Sequence, residues 1–282
     1  MSYRKLFEVR PGSVVALSEI DSDFTGKHRD KAAAAVQMKR DDLRLGDLQY
    51  LLYAEHQRSL LIVLQGMDAS GKDGTIRHVF GALDPQGARV HAFKQPSREE
   101  ADHDFLWRAH IYAPAKGELV IFNRSHYEDV LIVRVHDLVP EPVWSKRFEL
   151  INEFERNLAL AGTTILKFYL HITAEDQGKR FEKRLDDPTR QWKISQADYT
   201  ERAYFKQYIR AYEDVLNKTS TAYAPWFVIP SRRKWFRNLA VSKIVVETLK
   251  SFDMKFPPPA VDIGEIRRKF HAAEAKEDGV TV

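Results

Sequence analysis

No cysteine occurs anywhere in the 282 residues. That single absence excludes disulfides, thiolate zinc sites, iron–sulfur clusters and cysteine nucleophiles together, and it suits a reducing cytoplasmic setting. Long hydrophobic runs are missing as well. The longest, Leu60 to Leu64, has the length of a strand and falls far short of the roughly 18 residues a membrane span needs. The start of the chain, Met1 to Pro11, mixes charge with apolar residues and lacks the apolar stretch of a secretory signal. Nor is there a large excess of charge of one sign. Lys and Arg total 44 against 40 Asp and Glu, a net charge of +4, and the isoelectric point near 9.0 hints at an anionic partner without being able to hold one by bulk charge alone.

What is present fits a folded protein. The chain is 44% hydrophobic and 30% charged, which excludes a mostly disordered polymer, and its length allows one large domain or two small ones. Five β-branched or aromatic runs bounded by turn residues read as buried strands: Leu60–Gln65, Arg89–Phe93, Glu118–Phe122, Thr163–Ile172 and Trp226–Pro230. Helical patterns separate them, at Lys72–Leu83, Arg98–Ile111, Glu141–Ala161, Ala174–Leu185, Asp198–Thr219 and Arg237–Phe252. A further helix, Lys31–Tyr53, precedes the first strand. The run Pro257-Pro258-Pro259 breaks structure, and Asp262 to Val282 reads as a charged surface tail. Strands alternating with helices predict a three-layer α/β domain with a mostly parallel five-stranded sheet.

Gly66-Met67-Asp68-Ala69-Ser70-Gly71-Lys72 matches the phosphate-binding loop (P-loop, or Walker A) pattern G-x-x-x-x-G-K. The glycines let the backbone curl so that successive N–H groups converge on one anion, and the lysine bridges phosphates. The helix that follows presents its positive end. A strand predicted to end at Gln65 and a helix starting at Lys72 supply the context the motif demands. Position eight is Asp73 rather than the usual Ser or Thr, and reads first as a helix-start carboxylate favoured by the dipole. Asp68 inside the loop is a candidate for chemistry, because a carboxylate among phosphates is repelled unless a metal bridges it or an acceptor hydroxyl or phosphate gives it a proton; the alternative is an Asp that caps the loop by local hydrogen bonds.

The third strand ends in Asn123-Arg124-Ser125, at the edge where parallel sheets place ligand contacts. Arg124 is placed to clamp phosphate oxygens opposite Lys72, and Glu128 to aim a carboxylate at a metal or an acceptor. His126 and His136 lack the spacing of a zinc helix and read as ordinary polar positions. Six cations fall within fifteen residues from Lys179 to Lys193, with Arg180 and Arg184 one turn apart. Alone this is a solvated, salt-bridged helix, but after the fourth strand of such a fold it occupies the place of a lid. Arg232-Arg233-Lys234 forms a second cluster, and Lys27, His28, Arg29 and Lys31 a third. Three clusters around one pocket exceed what a nucleoside triphosphate requires and suit a longer polyanion.

Taken together, Gly66 to Arg77, Phe122-Asn123-Arg124-Ser125-His126-Tyr127-Glu128-Asp129-Val130, Arg184-Leu185-Asp186-Asp187-Pro188 with Trp192-Lys193, and Ala224 to Pro230 make the chain similar to the family-2 polyphosphate kinases. The resemblance runs from about Lys27 to Phe256. It implies a thymidylate-kinase-like, three-layer P-loop kinase fold with a helical lid, moving phosphoryl groups between inorganic polyphosphate and nucleotides with Mg2+, or Mn2+ in its place. On that pattern residues 1–55 are an extension packing on the core, 56–256 the kinase domain with its lid at 174–195, and 257–282 a tail. The resemblance implies Asp68, Lys72, Arg124 and Glu128 as catalytic, with Asp68 and Glu128 toward the metal. It implies Gly66, Ala69, Ser70, Gly71, Lys72, Asp73 and Gly74 around the phosphate. Lys27, Arg180, Lys183, Arg184, Arg190, Lys193 and Arg233 would hold the polyphosphate chain. Asn123 with Glu128, in place of Asp-Arg-Ser and a later Asn, resembles the class III subgroup that phosphorylates both mono- and diphosphates (AMP to ADP to ATP, and GMP or GDP). Pro96, Arg108, Asn123 and Arg134 are the candidates for the nucleotide, placed by sheet-edge location. A homo-oligomer, dimer or tetramer, is expected; nucleic acid and membrane partners are not.

The alternative enzyme reading is an ATP-dependent nucleoside monophosphate kinase, but no adenine pocket for a donor is identifiable. A guanine-binding switch is disfavoured, since Asn217-Lys218 is followed by Ser220 where an Asp belongs. A non-catalytic polyanion binder would use Trp192, Trp235 and Phe236 as stacking platforms. Their helical placement favours packing instead.

Overall fold

The structure, a computed structural model, describes residues 2–28 and 30–278, excepting the side chains at 33, 197, 198 and 275–278. In chain order the helices are α1 (Tyr3–Phe7), α2 (Lys31–Glu55), α3 (Lys72–Val79), α4 (Arg98–Asp102), α5 (Trp107–Tyr112), α6 (Ile132–Val135), α7 (Glu141–Trp144), α8 (Arg147–Leu160), α9 (Ala174–Leu185), α10 (Pro188–Gln191), α11 (Gln196–Glu201), α12 (Phe205–Thr219), α13 (Lys234–Lys250) and α14 (Ile263–Asp278). The strands are β1 (Glu8–Val9), β2 (Ser59–Gln65), β3 (Ala88–Ala92), β4 (Leu119–Asn123), β5 (Thr163–His171) and β6 (Trp226–Pro230). Among the described residues no helix is long and apolar enough to cross a membrane.

The sheet has the order β1-β6-β5-β2-β4-β3. Every pairing is parallel except that of β1 with β6. It therefore contains six strands where five were expected. The sixth, β1, is two residues long and pairs Glu8 with Phe227 and Val9 with Trp226; a two-residue strand carries no readable alternation. All seven residues of β2 are buried, as a central strand covered on both faces must be. Its period of two still divides them. Leu60, Ile62 and Leu64 pack with α2, α3 and α13 through Leu45, Leu52, Val79, Phe236 and Ala240. Leu61 and Val63 face the other core, with Phe148, Ile151 and Phe154 of α8 and Ala211, Val215 and Leu216 of α12.

Several expected helices are interrupted. The span 98–111 starts on a capping box formed by Ser97 and Glu100 and splits where Asp104 starts a new turn, accepting from Leu106 N at 2.9 Å. The span 198–219 passes through a 3-10 turn at Arg202–Tyr204. Within the expected surface tail, Ile263–Asp278 form the helix α14, which Asp262 begins by accepting from Glu265 N at 3.1 Å, and residues 261–274 are exposed.

β2, β4, β5 and β6 end along one edge, with Leu64 opposite Asn123, Gln65 opposite Tyr169 and His171 opposite Pro230. Chain order doubles back around β2 and β4, so the loops leaving them diverge and open a crevice at their carboxyl ends.

Candidate active site

The turn from β2 to α3 is built on unusual backbone angles. Gly66 and Gly71 have φ of 147° and 108°, and Ala69 has φ of 62°. The first two are tolerable only without a Cβ. At Gly66 a Cβ would stand 2.8 Å from the Ser70 hydroxyl, and at Gly71 it would meet the Arg237 guanidinium at 1.8 Å. Lys72, at the first turn of α3, folds back over the loop, donating from Nζ to Gly66 O at 2.7 Å and to Met67 O at 3.4 Å. Burial pushes its ammonium down to about 8, with Arg124 adding to the effect and Asp68, Glu128 and Asp73 opposing it.

Arg124 follows β4 with φ of 61° and donates to Asp68 Oδ1 at 2.9 Å, so the two strand ends are joined by an ion pair across the crevice. Ser125 anchors the turn, accepting from Tyr127 N at 3.2 Å and from the Gln65 amide at 3.1 Å. Glu128 sits among Arg124, Lys72 and Gln65. Burial raises its carboxyl above the ordinary value, partly offset by Arg124 and then Lys72. Asn123 donates to Asp73 Oδ1 at 3.0 Å, and Lys193 reaches Asp73 at 3.5 Å. Burial raises the Asp73 carboxyl, but that hydrogen bond and the nearby lysines outweigh it and leave it below its ordinary value.

A cavity of about 1460 Å³ opens from this loop. Among the described residues thirteen lysines and arginines line it against three aspartates, Asp42, Asp68 and Asp73. Of the expected residues, Ala69, Gly71, Gly74, Asn123, Lys183, Arg184, Arg190 and Lys193 are on its wall with Asp68, Lys72, Asp73 and Arg124. Gly66, Ser70 and Glu128 lie beside it without lining it. Arg180 is on the wall, but its guanidinium faces the loop's back, donating to Ala69 O at 2.6 Å, Ser70 O at 2.8 Å, Arg232 O at 3.1 Å and Ser231 O.

Other expected residues are elsewhere. Arg108 is buried and committed to Asp129 at 3.3 Å and to Lys94 O at 2.9 Å. Arg134 is held by Asp214 at 2.6 Å and lies over the Trp144 ring at 4.6 Å. Arg233 is fastened to Asp23 by bonds of 2.6 and 3.0 Å. Lys27 and Pro96 are exposed and off the cavity wall, and Arg29 lies outside the described residues. For Arg108, Arg134 and Arg233 an intramolecular acid, invisible in a local motif, claims the guanidinium. Conversely, Lys39 of α2 and Arg237 of α13 line the cavity though no motif marks them, while Lys234 of α13, part of the second basic cluster, lines it as well. Arg237 had a signal: a cation that, with Asn238, interrupts the apolar residues from Trp235 to Val241.

Parallel strands, a glycine-rich turn at their carboxyl edge and a cation-lined cavity define an α/β protein organised around a cleft at the strand ends. The family described as Polyphosphate kinase 2 (PPK2) matches residues 28–257, and the chain belongs to it. It is 50% identical over 256 residues to an AMP/ADP-polyphosphate phosphotransferase of Meiothermus ruber, covering 90% of this chain and 96% of that one. It is 41% identical to an ADP-polyphosphate phosphotransferase of Rhodopseudomonas palustris, over 90% and 92% of the two chains. The crystal structure of Polyphosphate Kinase 2 from Arthrobacter aurescens superposes with a TM-score of 0.92 at 40% identity, over 96% of this chain and 97% of the other.

Proposed function

We propose that the protein transfers phosphoryl groups from inorganic polyphosphate to nucleoside mono- and diphosphates, AMP and ADP among them. The observation that carries this reading is the cavity itself. Among the described residues thirteen cations against three carboxylates exceed what one triphosphate can neutralise, and they come from α2, α9, α10 and α13 as well as from α3 beside the glycine-rich loop. In the reaction a phosphate oxygen of the acceptor attacks the terminal phosphorus of the donor. One phosphoanhydride P–O bond forms as another breaks, and the polyphosphate leaves shorter by one unit. The protein contributes positioning and charge rather than covalent chemistry. Lys72 leaves Gly66 O for the transferring phosphate, and Arg124 exchanges Asp68 for a phosphate oxygen. The α9–α10 segment, acting as a lid, brings Lys183, Arg184 and Arg190 over the donor and excludes water.

Asp68 and Glu128 suit Mg2+. The ion prefers oxygen donors and is held by one or two carboxylates, substrate phosphates and water rather than by a full protein cage. When bound, the ion would neutralise charge developing on the transferred group.

Incubating the purified protein with AMP, long-chain polyphosphate and Mg2+, without ATP, should yield ADP and then ATP on chromatography. ATP from ADP but nothing from AMP would reject monophosphate acceptance and the role given to Glu128 in it. Turnover that appears only when ATP is supplied as donor would overturn the polyphosphate reading.

A further inference from the structure

Behind the glycine-rich loop lies an arginine with no carboxylate. Arg237 of α13 is 1% exposed. It donates from Nη1 to Ser70 O at 3.2 Å, and from Nε and Nη2 to the Asn238 side-chain oxygen at 3.1 and 2.8 Å. Among the described residues no acid pairs with it, and the charge acting on it is another cation, Arg180. Burial, with Arg180 adding to it, pushes its guanidinium down to about 9. A buried cation without a counter-ion is expensive, yet the loop is shaped around this one. A Cβ at Gly71 would lie 1.8 Å from Nη1, and one at Gly74 would lie 3.1 Å from Nη2.

The carbonyl that Arg237 caps is already capped from the other side. Ser70 O accepts from Arg180 at 2.8 Å as well as from Arg237, so both of its lone pairs are taken by guanidinium donors. In a trans peptide the C=O and the following N–H point in opposite directions. Fixing Ser70 O against two arginines therefore turns the Gly71 N–H away from them, at a residue that lines the cavity. Charge on the oxygen side also polarises that amide and makes it a better donor. By contrast the neighbouring Ser70 N–H is already used within the loop, donating to Met67 O at 3.0 Å.

We propose that Arg237 is a positioning residue for the phosphoryl donor: with Arg180 it locks the Ser70–Gly71 peptide so that the Gly71 N–H meets the donor phosphate. Its unpaired charge is balanced when that polyanion arrives. The role rests on reading Gly66–Lys72 as the phosphate site, and it concerns the donor and not the nucleotide acceptor.

Initial-rate kinetics of Arg237→Gln should show KM for polyphosphate raised about tenfold or more, with KM for ADP unchanged. The rise in melting temperature that inorganic tripolyphosphate gives the wild type should shrink in parallel. Arg237→Lys keeps the charge but cannot serve Ser70 O and Asn238 together, so its KM should fall between. A folded Arg237→Gln protein with the wild-type polyphosphate KM, or with both KM values raised alike, overturns the proposal. Should Arg237→Gln not fold, Arg237→Lys decides: an unchanged polyphosphate KM overturns it. Lys72→Met is the control for the underlying reading. If tripolyphosphate stabilises that variant as well as wild type, the loop is not the phosphate site, whatever Arg237 does.

Discussion

Lys72→Met is expected to lower kcat about a thousandfold while leaving the melting temperature at pH 7 no lower than that of the wild type. The two halves of this result share one cause. Lys72 is buried against its own loop, with Gly66 O and Met67 O as its hydrogen-bond partners, and burial lowers its ammonium from 10.5 to about 8. A lysine whose pKa falls on folding binds fewer protons in the folded state. Its charge therefore opposes folding below pH 8, and this penalty is relieved as pH rises from about 8 to 10.5. Methionine removes the penalty together with the charge proposed for catalysis, the exchange of stability for function expected where a site is built for an anionic ligand. Donor phosphate reverses the balance by giving the ammonium an anionic partner, so binding above pH 8 should draw in a proton. The KM for polyphosphate should accordingly rise as pH passes through 8, and calorimetry in buffers of different ionisation enthalpy should detect the uptake. A variant with wild-type kcat, or a polyphosphate KM flat from pH 7 to 9, would contradict this account of Lys72.

How far the sequence discloses such a site depends on the range of the interactions that build it. The Gly66–Lys72 loop was legible because its constraints are local. The φ values of Gly66 and Gly71, the strand ending at Gln65 and the helix starting at Lys72 all lie within one turn of chain. The central strands were legible for the same reason, being continuous apolar runs. The nucleotide candidates were placed by sheet-edge location alone, and Arg108 and Arg134 proved to be held by Asp129 and Asp214. The second of those partners lies on a different helix, far along the chain. Arg237 was hidden by the opposite effect: its relevance comes from meeting Ser70 O across 167 positions. β1 left no pattern because two residues cannot alternate. The helix α14 within the expected tail was not legible because the Asp262 cap is inconspicuous in a charged segment.

Lys167→Met should be the most destabilising single change in the second core, although it makes a buried residue apolar. Lys167, near the middle of β5, is wholly buried, and its ammonium donates to Glu155 Oε2 at 2.5 Å, Tyr127 OH at 2.9 Å and Thr219 O at 2.7 Å. Glu155, equally buried, accepts from Tyr127 OH at 2.8 Å through Oε1, with His126 Nε2 3.4 Å away. Burial drives the Glu155 carboxyl upward, but Lys167 and then His126 outweigh it and hold it below its ordinary value. Burial pulls the Lys167 ammonium below its ordinary value, opposed by Glu155, yet three acceptors surround the ammonium and two donors reach the carboxylate, an arrangement that suits the ionic pair. Methionine would leave that carboxylate buried and unpaired, at a cost of about 3–5 kcal/mol, or a fall in melting temperature on the order of 10 °C for a domain of this size. Glu155→Gln added to Lys167→Met should recover at least half of the loss, because no charge then remains while the introduced amide oxygen can still accept from Tyr127. The knot matters to the site because His126 and Tyr127 lie between Arg124 and Glu128, and both are tied to one carboxylate of α8. The double variant, stable once more, should still show reduced kcat, since the turn carrying Arg124 and Glu128 has lost the ionic part of its anchor. Wild-type melting in Lys167→Met would show that Glu155 simply takes up a proton there. Wild-type kcat in the double variant would confine the knot to stability.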